Sequence, residues 1–283
     1  MKKRLMIFLS VMILMLSGCR QKTIDLRENI SFKAEQNISY GKDAAQKLDL
    51  YIPEKKWDHK NIFLIIHGGG WRGGRKSQLN SFTFDLMKKF PSMAFVNMEY
   101  RLASTTRFAL PDQTDDIKVV INFVEKKLNI KPKYILLGNS AGGHLSMFYA
   151  YHYDKEKKVR AIVNIVGPAD LNDPGFKNYD DYAFVEKHLI DPKLVNGKIS
   201  LMDFGSPVHW ITPISAPTLS YYGTADHVVP VSQKRILDSV LARNKVYHQS
   251  YEFNGDHVGW EQQPHASFLL EKINDFLKNL DKK

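Results

Sequence analysis

Tyr134-Ile135-Leu136-Leu137-Gly138-Asn139-Ser140-Ala141-Gly142-Gly143 decides how this chain is read. The apolar run Tyr134 to Leu137 has the length and composition of a strand buried on both faces, and Ala141 to Ala150 reads as a helix. Between them lies Gly-x-Ser-x-Gly. A tight strand-to-helix turn needs small residues around the serine, so that its Oγ projects clear of the backbone. The helix N-terminus behind it offers unpaired N–H groups and the positive end of a dipole, both suited to a developing oxyanion. The pattern alone is a weak signal, equally met by a glycine-rich β–α turn with no chemistry. The strand before it and the helix after it give it weight.

Working outward, strands and helices alternate. Lys47 to Tyr51 alternates with period two, Phe63 to Ile66 is a continuous apolar run ending at glycines, and Met93 to Met98 is another. Ile117, Val120, Ile121, Val124 and Leu128 recur at helical spacing, which predicts an amphipathic helix over Asp112–Leu128. Ala161 to Val166, Leu219 to Tyr222 and Gln249 to Phe253 are further strand candidates. Ser232 to Arg243 and His265 to Leu280 are helix candidates, the last with Phe268, Leu269, Phe276 and Leu280 as its apolar face. Such alternation implies an α/β fold, a mostly parallel central sheet with helices on both faces. The one irregular stretch, about 171–216, is aromatic and Asp/Pro-rich, with a short helix candidate at Tyr182 to Ile190. It is expected to form a small cap above the strand ends, since a loop this long in a compact domain is usually functional.

A nucleophilic serine needs oxyanion donors, a base and an orienting acid. His67-Gly68-Gly69-Gly70-Trp71 follows a buried strand, and consecutive glycines there can aim several N–H groups at one point. A phosphate-binding loop would show Gly-Lys-Ser/Thr or Gly-x-Gly-x-x-Gly, and neither is present. His67 is expected to be structural. Among ten histidines, His257 stands just after a strand candidate and before the last helix, where a base belongs. His209 and His227 remain open as loop candidates, whereas His144, one turn into the helix after Ser140, should point away. Asp226 fits the acid, with Asp170 and Asp173 as alternatives; Asp256 is too close in sequence to His257 to orient it. Trp71, Trp210 and Trp260 are candidates for lining an acyl or alcohol pocket, or for ordinary packing.

The N-terminus reads separately. Lys2, Lys3 and Arg4 precede an apolar run from Leu5 to Leu16, the length of a signal-peptide core and too short to span a bilayer comfortably. It ends in Leu16-Ser17-Gly18-Cys19, similar to the bacterial lipobox. Cys19 is the only cysteine, so no intrachain disulfide can form. The expected organisation is a lipoprotein signal peptide over 1–18, lipidation at Cys19, a polar tether over 19–37 and one catalytic domain over 38–283. The protein would then be exported and lipid-anchored to a bacterial membrane. The net charge of +10 is spread over dispersed lysines, without the basic stripe that nucleic-acid binding requires. The histidines and carboxylates show no metal-ligand spacing, and the chemistry needs no cofactor. Oligomeric state is left open.

Together these motifs resemble the α/β-hydrolase superfamily, and within it the bacterial esterases and lipases with an HGGGW loop, akin to hormone-sensitive lipase and to feruloyl and acetyl-xylan esterases. Tyr100-Arg101-Leu102, Leu110-Pro111-Asp112-Gln113 and Gly223-Thr224-Ala225-Asp226 carry the resemblance further. It implies a triad in the order Ser140, Asp226, His257, and an oxyanion hole from the N–H groups of Gly69, Gly70 and Ala141, with Trp71 able to substitute for one. The implied substrates are small-molecule or carbohydrate esters. An arylformamidase or a serine peptidase on the same fold is the alternative, as is a surface lipoprotein that keeps the scaffold only for binding.

Overall fold

The structure, a computed structural model, describes residues 21–282. The signal segment and Cys19 lie outside the described residues. Nine strands form one sheet in the order β1-β2-β3-β5-β4-β6-β7-β8-β9. These are β1 (Gln21–Arg27), β2 (Ile30–Ser39), β3 (Lys47–Pro53), β4 (Asn61–Ile66), β5 (Ala94–Met98), β6 (Lys133–Asn139), β7 (Val159–Ile165), β8 (Thr218–Gly223) and β9 (His248–Phe253). From β5 to β9 every pairing is parallel, while β1, β2 and β3 add an antiparallel margin.

Strands buried on both faces explain the continuous apolar runs. In β4, Ile62, Leu64 and Ile66 face one core and Phe63 and Ile65 the other; in β6, Tyr134 and Leu136 oppose Ile135 and Leu137. The first core is closed by α2 (Asp112–Leu128), α3 (Ala141–Phe148) and α6 (Ser232–Arg243), the second by α1 (Asn80–Lys89) and α7 (His265–Leu280). This is the α/β arrangement the alternation implies. In α7 the buried face holds Leu269 and Phe276 as expected, with Ile273 and Leu277 beside them and Leu280 partly buried. Phe268 is instead exposed, with the Lys272 ammonium 5.1 Å from its ring.

The polar stretch expected as a tether is not one. Residues 21–39 form the β1–β2 hairpin, turned through Glu28 and Asn29, with Asn29 in the left-handed region at φ 66°. Phe32 and Ala34 are fully buried, while Lys33 between them is exposed. Period two is present, but at a sheet edge one face stays in water and the pattern is diluted by polar residues.

The stretch 171–216 does form a cap, made of α4 (Tyr182–His188), α5 (Leu201–Gly205) and isolated turns. It is packed down rather than loose. Phe176, Val185, Leu189 and Ile190 are buried in the first core. Its backbone is also stitched to the loop before α2, Leu110 donating to Leu189 O at 2.8 Å and accepting from Asp191 N at 3.0 Å.

Candidate active site

β6 delivers the chain to Ser140, which sits at φ 53° and ψ −123°, a conformation that costs an L-residue on the order of 1–3 kcal/mol. Two contacts enforce it. Ser140 N donates to Ile165 O at 2.8 Å and Ser140 O accepts from His144 N at 3.0 Å. The flanking glycines permit it by close approach: a Cβ on Gly138 would lie 2.2 Å from Gly142 O, and one on Gly142 2.0 Å from Ile66 O. The serine is thereby pushed out at the C-terminal edge of the sheet.

His257 arrives from the loop after β9, with Nε2 2.9 Å from Ser140 Oγ and Nδ1 2.7 Å from Asp226 Oδ2. The Asp226 side chain is fully buried, and its second oxygen accepts the N–H groups of Val228 and Val229, each at 2.8 Å. Since an ionised carboxylate can only accept, Nδ1 carries the proton and Nε2 presents its lone pair to the serine hydroxyl. The two loops are held in register by Thr224 N to Phe253 O at 2.9 Å and Ala225 N to Gly255 O at 3.0 Å.

The other candidates are placed elsewhere. Asp173 is buried against Ser232 Oγ and Gln233 Nε2, and Asp170 caps the Asn172 N–H. Asp256 accepts from Val258 N at 3.2 Å. His209 pairs with Asp203 at 3.4 Å. Neither it nor the exposed His227 lines the cavity in front of Ser140.

His144 does point away and is fully buried. Its Nε2 donates to Gly205 O at 2.8 Å and its Nδ1 accepts from the Trp71 indole at 3.2 Å. This neutral ring ties the glycine loop to α5 in the cap. Burial pushes the imidazole down from 6.5 to about 4, against the opposing pull of the Gly205 carbonyl. The folded protein therefore resists the proton that the unfolded chain accepts near 6.5. The contribution of His144 to stability is complete above that pH and falls between 6.5 and 4, by roughly 3 kcal/mol at the lower end. Urea midpoints measured across this window should show the fall, and His144→Gln, which does not titrate, should lessen it, leaving the share of His152, which burial also pushes down to about 4.

The glycine loop is strained and clamped. Gly69, Gly70 and Trp71 have φ of 120°, 57° and 61°. Gly69 O accepts from Gly73 N at 2.8 Å, and Trp71 O from Ala103 N at 2.9 Å and Gln113 Nε2 at 2.7 Å. His67 is structural, as expected: Nδ1 donates to Gly68 O at 2.7 Å, Nε2 lies 3.2 Å from Glu99, and the ring stacks on Tyr100 at 4.2 Å. Gly69 and Gly70 share a cavity of about 380 Å³ with Ser140 and His257. Ala141 opens α3, so its N–H has no carbonyl one turn back to bond.

None of the three tryptophans lines this cavity. Trp71 and Trp260 are buried, and Trp210 packs against His152 with ring centroids 3.7 Å apart and planes tilted by 39°. The walls are instead Arg72, Gln78, Tyr179, Asp181 and Glu261, with Val228 and Val258. Arg72 and Asp181 pair at 2.6 Å, joining the glycine loop to the cap. Sequence reading missed these residues; the only signal was the Tyr179-Asp180-Asp181 cluster in the cap. Among the described residues, no group of His, Cys, Asp and Glu is placed to hold a metal.

A family model, BD-FAE, matches residues 48–241 of this chain. Esterase LipC of Mycobacterium tuberculosis is 24% identical over 221 residues, covering 71% of this chain and 53% of that protein. Kynurenine formamidase avaC of Aspergillus versicolor is 32% identical over 124 residues, covering 38% and 43%. The chain thus spans about half the length of these curated relatives. A solved structure, a truncated form of a carbohydrate esterase from gut microbiota, superposes with a TM-score of 0.71 at 21% identity, over 91% of this chain and 99% of that one. At that identity the likeness speaks for the fold alone, and the fold is that of the α/β-hydrolases.

Proposed function

The chain belongs to the BD-FAE family, and on that premise we propose that it is a serine hydrolase cleaving carboxylic esters through an acyl-enzyme. One observation carries the reading: Ser140 Oγ, His257 and Asp226 form an unbroken chain of hydrogen bonds at 2.9 and 2.7 Å beside an open cavity. His257 Nε2 takes the hydroxyl proton as Oγ attacks the ester carbonyl, and Asp226 stabilises the imidazolium that forms. The tetrahedral oxyanion is received by N–H groups of Gly69, Gly70 and Ala141. Collapse expels the alcohol, which takes its proton from His257. Water, activated by the same nitrogen, then releases the acid and restores the serine.

The loop geometry supplies a test of the oxyanion role. A Cβ on Gly69 would lie 2.3 Å from Gly73 O, so Gly69→Ala must displace the loop. The expected loss is about 10²–10³-fold in kcat with little change in KM.

The charged groups Arg72, Asp181 and Glu261 in the wall, with a volume of about 380 Å³, favour short acyl groups over long lipid chains, on the carbohydrate alcohols that the sequence resemblance implies. The assay is hydrolysis of p-nitrophenyl acetate, butyrate and octanoate, with N-formylkynurenine alongside because a kynurenine formamidase is among the relatives. Acetate or butyrate should be preferred to octanoate. A folded protein inert on all three esters but active on the formamide would replace the ester reading with an amide one.

Export and lipid anchoring at Cys19 is the second part of the reading, supported by the Lys2-to-Cys19 pattern in the sequence. Expression in a bacterial host with radiolabelled palmitate should label the wild type and not Cys19→Ala. Equal labelling of both would remove the anchor.

A further inference from the structure

The lysines that lie dispersed along the sequence are gathered by the fold. Because β4, β6, β7 and β8 run parallel, the segments that enter them lie together at the end of the sheet opposite Ser140. Their backbones are joined there: Lys133 N donates to Lys60 O at 2.8 Å, Tyr134 N to Lys158 O at 2.9 Å and Ile162 N to Pro217 O at 2.9 Å. Residues 54–60, 125–133 and 154–158 carry ten lysines against five carboxylates, which is half of the chain's net charge of +10. The carboxylates are already engaged. Glu125 and Glu156 both pair with Lys158, at 3.0 and 3.2 Å, Asp58 and Asp154 accept backbone N–H groups of their own loops, and Glu54 accepts from Thr23. Lys60, Lys126, Lys131, Lys155 and Lys157 are exposed and form no ion pair among the described residues.

A second feature stands at the same end. Ile214, in the loop that enters β8, is 72% exposed, more than any other large apolar side chain among the described residues. The loop is built to hold it out. Ser215 N donates to Thr212 O and Thr212 N to Ser215 Oγ, both at 2.9 Å, and Pro213 and Pro217 restrict the backbone on either side. An apolar side chain fixed in water beside unpaired ammonium groups suits a surface that is anionic outside and apolar just beneath. A nucleic acid or another soluble polyanion would engage the lysines and leave Ile214 in water. An apolar protein face would cover Ile214 and leave the lysines without counter-charge.

We infer that this end of the molecule docks on an anionic lipid bilayer, with the lysines against lipid phosphates and Ile214 inserted between the headgroups. Docked in this way, the cavity in front of Ser140 opens away from the bilayer. The contact requires neither turnover at Ser140 nor a lipid at Cys19.

The test is co-sedimentation of the full chain carrying Cys19→Ala with two kinds of vesicle, phosphatidylcholine alone and phosphatidylcholine with about one third phosphatidylglycerol. Binding to the anionic vesicles should be tighter by on the order of a hundredfold at low salt, and the excess should vanish at high salt. Lys131→Gln, Lys155→Gln and Lys157→Gln combined should remove most of that excess, at about fivefold for each charge. Ile214→Ser should weaken the binding by about tenfold. Thermal melting establishes that both variants are folded, and neither alters the cavity in front of Ser140. Equal binding to the two kinds of vesicle, or undiminished binding by the folded lysine variant, would overturn the inference. Binding to heparin as tight as to the anionic vesicles, with Ile214→Ser changing neither, would overturn the bilayer and make the face a polyanion site. Inertness on every ester would overturn the ester reading and leave the outcome of this test unaffected.

Discussion

Ser140→Ala lowers kcat on p-nitrophenyl butyrate by about 10⁴–10⁶-fold with KM nearly unchanged. Among the described residues Oγ is the one hydroxyl hydrogen-bonded to His257 Nε2, and without it the imidazole can at best activate water. What activity survives is owed to the oxyanion donors and to binding, which the substitution leaves in place. The variant should fold, because a methyl group replaces a hydroxyl and the backbone bonds from Ser140 N and to Ser140 O do not involve the side chain. Thermal melting and single-turnover kinetics would separate a chemical loss from a structural one. Retention of more than about a hundredth of wild-type kcat in a folded variant would sink the triad.

Asp226→Asn should cost about 10⁴-fold in kcat, and the geometry says why so small a change does so much. The oxygen that accepts from Val228 N and Val229 N can only be the amide oxygen in the variant. The NH₂ group must then occupy the position facing His257 Nδ1, 2.7 Å away. A donor there forces Nδ1 to accept, which moves the ring proton to Nε2 and aims an N–H at the serine hydroxyl. The base is present, in place and in the wrong tautomer. Asp173→Asn is the control: its partners are Ser232 and Gln233, so kcat should stay within a few-fold. Steady-state kinetics on both variants would check the assignment. The reverse ranking would transfer the third triad position to Asp173.

Much of this was legible in the residues because it depends on local rules. Strands buried on both faces read as unbroken apolar runs, and an amphipathic helix marks itself every three to four residues, so β4, β6, α2, α6 and α7 were foreseen closely. The turn at Ser140 was legible for the same reason: only glycine tolerates the 2.0–2.2 Å approaches at Gly138 and Gly142. The β1–β2 hairpin was missed because a half-solvated edge strand carries as many polar as apolar residues. The π-helical turn at Tyr149–Tyr153 that ends α3 also escaped, since nothing in the spacing of its residues distinguishes it from a continued helix.

By itself, then, the order of residues determined the alternating architecture, the strand-to-helix turn and the types of side chain available to act there. Tertiary structure alone decided which acid meets which base, because Asp226 and His257 are 31 positions apart and His257 and Ser140 are 117 apart. It decided too that Trp71 and Trp260 pack inside while Arg72, Tyr179, Asp181 and Glu261 line the cavity in front of Ser140. Local rules act over a few residues, through backbone conformation and periodic burial. Which distant side chains converge is set by the packing of the whole sheet, and no short window of sequence carries that information.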